Sequence, residues 1–538
     1  MRRPNLLSSA FLLGLAACGG AQADTAPKNA AERVPAASAS APAHAPSPSD
    51  AGTAPASYAD VFTALVARIE KNHVFAPGRR AFWDAHKEEL RREMVAATTR
   101  EAGLVALRHL QLALGDRHCN LSPPTDLQPH RLRLGVSLHV LSTPDGPRVR
   151  IAEVEDPKLR ATVAVGDEVV SVDGVPIGAY IDAHPFESNA LNPAAALDEI
   201  VASVVQQTFP WTTVKEGDAR VLRLTRAGAG VDHALTFRRP FRYFERENKL
   251  DVDDAPDMAK VSCTQEKTPP YAGYDVAAIG ANVCVYRPRG ARTGKPVVVR
   301  YLSFHYASDG KDDDAVLRAI RADHDLLARA LEKDARVVVD LRDNHGGNNP
   351  FIFVSWFAHG PWGHEQVHVK VSDDFDEESV RSFLWGDDAL VASYKKALAE
   401  KAPELVYPFL CKKGTCAQEG PRPSELVTKK PVALVTGPDC TSSCDALAAL
   451  WTHFHVGPVV GKQPMHGFTS VRHAYPVVAP DNRDMGRLRI ALSWEAFTDQ
   501  PTLEGRPLKL DWEAPDTFET RDTWVDAAIE HAGTLLAR

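Results

Sequence analysis

Apolar and polar positions change their period several times along the 538-residue chain, and each change marks an element. From Tyr58 to about Leu121 the period is helical. Val61, Leu65, Val66 and Ile69 share one face of a first helix, and Leu104, Leu107, Leu110 and Leu114 share a face of a second. Gly115 ends that helix and leaves Asp116-Arg117-His118-Cys119 in the following loop. Between about Leu132 and Pro240 the pattern shortens to strands. One opens at Leu134 to Leu138, one runs from Gly166 to a tight turn at Asp173-Gly174, and a hairpin spans Val221 to Phe237 around Ala227-Gly228-Ala229-Gly230. Two later runs are continuously apolar and suit strands covered on both faces. Val337-Val338-Val339 leads into a loop containing Gly346-Gly347. Val432 to Val435 leads through Gly437-Pro438 to a turn carrying Ser442, after which Leu447, Leu450, Trp451 and Phe454 recur at helical spacing.

The start of the chain changes the picture of where these elements reside. Arg2 and Arg3 precede an apolar run from Leu6 to Leu15, and Leu15-Ala16-Ala17-Cys18 ends small residues on a cysteine. This resembles a bacterial lipoprotein signal, which implies cleavage before Cys18 and lipidation of that residue. The run is too short to cross a bilayer, and nothing downstream approaches twenty consecutive apolar residues. The resemblance therefore implies a chain anchored to a membrane and not threaded through it. Gly19, not Asp, follows the cysteine, so the implied place is the outer membrane, facing the periplasm. Gly19 to about Ser57 is dominated by Ala, Pro, Ser and Gly and reads as a disordered tether reaching up to about 100 Å.

Composition adds two constraints. The formal charge of −8 becomes −10 on loss of Arg2 and Arg3, and no basic block compensates locally, which argues against nucleic acid as a partner. Without Cys18 seven cysteines remain, an odd number for an oxidising compartment, so one thiol is expected free. Sequence proximity pairs Cys411 with Cys416, Cys440 with Cys444 and Cys263 with Cys284, leaving Cys119; other pairings stay open. A Cys440–Cys444 bridge would brace the turn that carries Ser442.

Three stretches carry candidate chemistry. A hydroxyl at a strand-to-helix turn, as at Ser442, is reachable and lies near free backbone N–H groups, which is what acyl transfer needs. The alternative is that Thr441 and Ser442 only cap the helix. The Gly346-Gly347 pair lets N–H groups approach a ligand with no Cβ in the way, as in an oxyanion hole or anion nest, or forms a bare turn. His364-Glu365-Gln366-Val367-His368 spells a zinc motif that works on a helix. Pro361 and Gly363 precede it, and Val367, Val369 and Val371 alternate with polar residues, so the pattern is a strand. Its histidines would then stand about 13 Å apart, too far to share a metal.

The strands from Leu134 to Phe237 resemble a PDZ domain, in which Gly135, Val136 and Leu138 would hold an extended peptide and its terminal carboxylate. The chain after the tether resembles the carboxyl-terminal-processing (tail-specific) serine peptidases and their tricorn-like branch. Four motifs carry that resemblance in order: Leu114-Gly115-Asp116-Arg117-His118, the PDZ-like segment, Val339 to Gly347, and the turn around Ser442 followed by Val459-Val460-Gly461. The resemblance implies Ser442 as nucleophile, three residues before Asp445, with Ser443 as the alternative. It implies oxyanion donors at Gly346 or Gly347 and at the N–H of Ser442. The lysine base of one branch is missing, since its position falls near Gly467, and Lys462 reads as a surface charge. The tricorn-like branch implies His118 as base, which suits a group able to take the serine proton and return it to the leaving amine. A late acid before Pro515-Asp516 would orient the ring, with Asp511 favoured over Glu513.

The implied fold is α/β: a signal over residues 1–18, a tether over 19–57, a helical subdomain over 58–128, a PDZ-like domain over 129–240, a connection over 241–290, and a crotonase-like protease core with a crossover-rich sheet over 291–538. The implied function is serine endopeptidase hydrolysis of exported polypeptides, with no cofactor and no metal. The alternatives are an inactive lipid-tethered peptide-binding scaffold and a zinc peptidase through His364, Glu365 and His368.

Overall fold

The computed structural model describes residues 55–226, 228–239, 270–290, 294–306, 313–347, 350–360, 362–384, 386–408, 425–468, 471–498, 500–521 and 523–538. The signal with Cys18, nearly all of the tether, and Cys263, Cys411 and Cys416 lie outside the described residues.

Three helices, not two, open the body. Tyr58–Asn72 starts where the Ser57 hydroxyl accepts the Asp60 N–H, and buries Val61, Leu65 and Ile69. Arg100–Ala113 starts where Thr99 accepts the Ala102 N–H, and buries Leu104, Leu107 and Leu110. Each such cap contributes about 1 kcal/mol. The helix Arg79–Ala96 lies between them. Its apolar stripe is reduced to Trp83, Leu90 and Met94 among many charges, so its period is faint in the sequence.

The segment after them is an antiparallel sheet with its own core. Strands Val136–Thr143, Gly146–Val154, Glu168–Val172, Ala219–Arg226 and Ala229–Thr236 lie side by side in that order. Val140, Val149, Ile151, Val169, Leu222 and Leu224 fill its interior. Asp173 and Gly174 both take positive φ, 50° and 81°, the twist that a two-residue hairpin turn demands. The long stretch from Glu187 to Thr213 resolves into a helix, Pro193–Val205, and a short strand, Gln206–Phe209, that pairs with His130–Arg133.

The centre of the molecule is a seven-stranded sheet ordered Tyr274–Ile279, Val283–Pro288, Val297–Tyr301, Val337–Asp340, Val432–Thr436, Val459–Gly461 and Trp512–Glu513. The first two pairings are antiparallel and the other four parallel. Alternate residues of the apolar runs enter different cores, as expected for strands covered on both sides. Val337, Val339, Val432 and Leu434 face one side together with Leu447, Leu450 and Trp451. Val338, Ala433, Val435 and Val460 face the other, under Ala528 and Ile529 of the helix Trp524–Leu535. Truncating a fully buried Leu such as Leu434 to Ala costs about 2–5 kcal/mol.

Three parallel neighbours thus end on one edge of the sheet, and their following loops carry Gly346-Gly347, Ser442, and residues 462–468. The carboxyl end of parallel strands is where such sheets hold ligands. One further pairing brings the N-terminal helices there. Strand Asn120–Ser122, which begins two residues after His118, pairs antiparallel with Asp484–Ala491, Asn120 opposite Arg489.

Candidate active site

Ser442 stands at φ 59° and ψ −125°, immediately before the helix Ser443–His453. A serine held there is strained by about 1–3 kcal/mol, and such strain persists only when the surroundings fix the backbone. They do so here. Cys440 and Cys444 form a disulfide across the turn with Cα atoms 5.2 Å apart, the Cys444 N–H donates to Thr441 O at 3.1 Å, and the Thr441 N–H donates to Asn344 O at 3.3 Å. The Ser442 hydroxyl makes no cap hydrogen bond. Capping therefore does not consume it. Its neighbour differs, since Ser443 is buried and its hydroxyl donates to Gly347 O at 3.0 Å.

The glycine pair packs directly on this turn. A Cβ on Gly346 would lie 2.7 Å from Thr441 O and 2.9 Å from Ser442 Cβ, and one on Gly347 would lie 2.2 Å from the His305 nitrogen. Both residues also take positive φ, 87° and 134°, so only glycine fits either position. As an oxyanion donor Gly346 needs correction. Its N–H donates to Asn344 Oδ1 at 2.8 Å and is committed in this geometry, so its contribution is close approach. The N–H of Gly347 donates to no described residue.

His118 is 8% exposed. The turn that carries it is tied down from three directions. Its own N–H donates to Asp116 Oδ1 at 2.7 Å, Asn189 Nδ2 donates to Asp116 O at 3.0 Å, and Gln111 Nε2 donates to Cys119 O at 2.7 Å. The Asp116 carboxylate lies 3.5 Å from His118 Nδ1, an ion-pair contact longer than a hydrogen bond. Burial alone would raise the Asp116 carboxyl, but the rings of His118 and, behind it, His73 bring it down to about 2. Cys119 is a free, buried thiol, as anticipated, and burial pushes its ionisation well up.

The loop after Val459–Gly461 meets both turns. A Cβ on Gly467 would come within 3.8 Å of His118 Cε1. The N–H groups of His466 and Gly467 donate to the carboxylate of Asp445 at 3.0 and 3.1 Å, and the N–H of Phe468 donates to Glu504 at 3.0 Å. Burial pushes the His466 ring down to about 4, which keeps it neutral near pH 7. Lys462 is not the surface charge expected. Its side chain is only 18% exposed, pairs with Asp516 at 2.6 Å and lies 5.6 Å above the Trp524 ring.

Asp511 needs a second correction. Its carboxylate accepts the Val459 N–H at 2.8 Å, and its own N–H donates to Val459 O. Val459 opens its strand, whereas the site lies beyond the other end of that strand, at Gly461. Asp511 therefore closes the sheet edge, and the acid beside His118 is Asp116. Glu513, the other late acid considered, pairs with Gly461 on an exposed edge strand. The residues absent from the sequence reading of the site are Asn344 and Glu504, both buried. Asp445, the acid that marks the nucleophile's position in the resemblance, is fully buried as well.

The remaining expected sites are positioned as follows. Val136 and Leu138 lie in Val136–Thr143, which ends its sheet and pairs through Val136 with Val154. Gly135 has φ 81°, and a Cβ there would meet Asp156 Cβ at 2.7 Å. The zinc-like sequence enters a strand, Gln366–Lys370, as its alternation predicts. His368 stacks on Trp494 with ring centres 3.7 Å apart and pairs with Glu404, while His364 packs edge-on against Phe351. The two histidines thus serve separate packing contacts.

No family model matches the chain, and no curated protein matches it in sequence. Solved structures do. Mature CPAF aligns with a TM-score of 0.63 and 11% identity over 88% of this chain and 95% of that one. A CPAF mutant aligns with a TM-score of 0.66 and 12% identity over 89% and 98%. The photosystem II D1 C-terminal processing protease aligns with a TM-score of 0.37 and 14% identity over 89% and 97%. The chain therefore has the fold of CPAF along nearly its whole length.

Proposed function

We propose that this protein is a serine endopeptidase acting on exported polypeptides. Ser442 Oγ attacks the carbonyl carbon of a peptide bond while His118 takes its proton, forming a tetrahedral oxyanion. The imidazolium then gives that proton to the leaving amine, and water hydrolyses the acyl-enzyme by the same two steps in reverse roles. Asp116, in the role first given to Asp511, steadies the charged ring. The N–H of Gly347 serves as an oxyanion donor. No metal or cofactor takes part in these steps.

The observation that carries the reading is the Ser442 hydroxyl, left out of any cap bond at a strained turn pinned by a disulfide, beside a glycine pair that tolerates no Cβ. A fluorophosphonate probe tests it. Wild-type protein should be labelled at Ser442, Ser442→Ala should not, and EDTA should leave labelling unchanged. The end strand with Gly135, Val136 and Leu138 is the proposed seat for an extended peptide. Lipidation at Cys18 would hold the enzyme at the outer membrane, facing the periplasm; none of the described helices is long and apolar enough to cross a membrane. A second reading, an inactive peptide-binding scaffold, draws support from the committed N–H of Gly346. Unlabelled protein that binds peptide would establish it.

A further inference from the structure

We infer that Asp445 is a positioning residue, whose carboxylate holds the Ser442 turn and the loop backing His118 in one fixed relation. The inference rests on the Ser442–His118 reading and names what keeps that pair in register.

Asp445 sits in the first turn of the helix Ser443–His453 and is fully buried. An acid in that position ordinarily serves its own helix, by capping N–H groups or complementing the dipole. This one does more. Its two oxygens accept the N–H groups of His466 and Gly467, at 3.0 and 3.1 Å, from a loop more than twenty residues away in sequence. Asp445 itself stands three residues after Ser442, on the helix that begins immediately after it. One buried group therefore joins the helix that starts right after the nucleophile to the residue that lies against the His118 ring.

The surrounding bonds show that the loop depends on such anchors. His466 is at φ 61°, an unfavourable conformation for a histidine. The loop is further held by the Met465 N–H on Cys440 O at 3.0 Å, by the Phe468 N–H on Glu504, and by Asn192 Nδ2 on Pro464 O at 2.9 Å. Those contacts tie it to the disulfide turn, to the 503–505 segment and to the helix Pro193–Val205. Among these contacts, the one that reaches Gly467 comes from Asp445, three residues after Ser442. Burial pushes the Asp445 carboxyl well up, while the Gly467 and His466 N–H groups act the other way; an asparagine there would keep one acceptor oxygen and turn an NH2 group toward N–H donors. A shift of about 1 Å between reacting groups costs about a hundredfold in rate.

The test uses the full mature chain and a fluorophosphonate–rhodamine probe. Asp445→Asn should label at least about a hundredfold more slowly than wild type while its far-UV circular dichroism is unchanged. Asp445→Glu, which keeps both acceptor oxygens, should recover at least tenfold over Asp445→Asn. A purely structural role would make the labelling rate follow the melting temperature in both variants, and that result overturns the inference, as does labelling of Asp445→Asn within threefold of wild type. Hydrogen exchange on wild type is independent of whether either variant folds: the His466 and Gly467 amides should be strongly protected, and exchange within seconds overturns the proposal. Failure of wild type itself to label at Ser442 would instead bring down the serine-peptidase reading, and this inference with it.

Discussion

The two turns of the proposed centre are built in opposite ways. The Ser442 turn is mainly local: one strand, one disulfide of four-residue separation and one helix build it between Val432 and His453, with Asn344 and the glycine pair packed against it. The His118 turn is borrowed. It follows the helix Arg100–Ala113, far off in sequence, is held by Asn189, and is joined to the later part of the chain by a strand pairing with Asp484–Ala491. A nucleophile needs strain and exposure, which a short stretch can supply. A base needs distance and orientation relative to another group, which only the assembled fold provides.

The contrast can be broken most decisively at the reactive groups. Ser442→Ala should lower peptidase activity on a fluorescent casein by more than about a thousandfold, and His118→Ala by about a hundredfold or more, with each melting temperature within a few degrees of wild type. Retention of activity in either would remove that turn from the chemistry. Next comes pH. The Asp116 carboxyl is held near 2, below its ordinary 3.8, so it contributes stability that is present above about pH 4 and lost as pH falls through 2. That contribution is about 2–2.5 kcal/mol, and the difference in urea unfolding free energy between wild type and Asp116→Asn should shrink across that window. A constant difference from pH 5 to pH 2 would show that the ion pair is not what Asp116 supplies. The local turn should respond to its staple: Cys440→Ala with Cys444→Ala should cost about 2 kcal/mol in urea unfolding and slow fluorophosphonate labelling, because the strained serine loses its brace. The smallest effect separates the adjacent serines. Ser443→Ala forfeits one hydrogen bond to Gly347 O, about 1 kcal/mol, and should keep labelling at Ser442.

This difference also explains what could be read before any fold was known. The apolar runs ending at Val339 and Val435, the hairpin from Val221 and the alternation after Glu365 are short-range patterns, and the strands stand where those patterns put them. The Cys440–Cys444 bridge and the free Cys119 also followed from spacing. Arg79–Ala96 was hidden because three buried residues on eighteen positions give a weak period. Asp511 was misread because nearness to Pro515-Asp516 in sequence says nothing about which end of a strand a residue occupies. Gly346 was half understood. The lack of a side chain was legible, whereas the direction of its N–H depended on Asn344. Lys462 looked solvated because Asp516 and Trp524, which cover it, come more than fifty positions later.

The pairing of Asn120–Ser122 with Asp484–Ala491 has a consequence for biosynthesis. The first segment leaves the ribosome long before its partner does. Until then the imidazole has no sheet to lean on, and a nascent chain that already displays its helices lacks a working centre. The turn that carries His118 would therefore reach its final position only once both strands of this pair have been made.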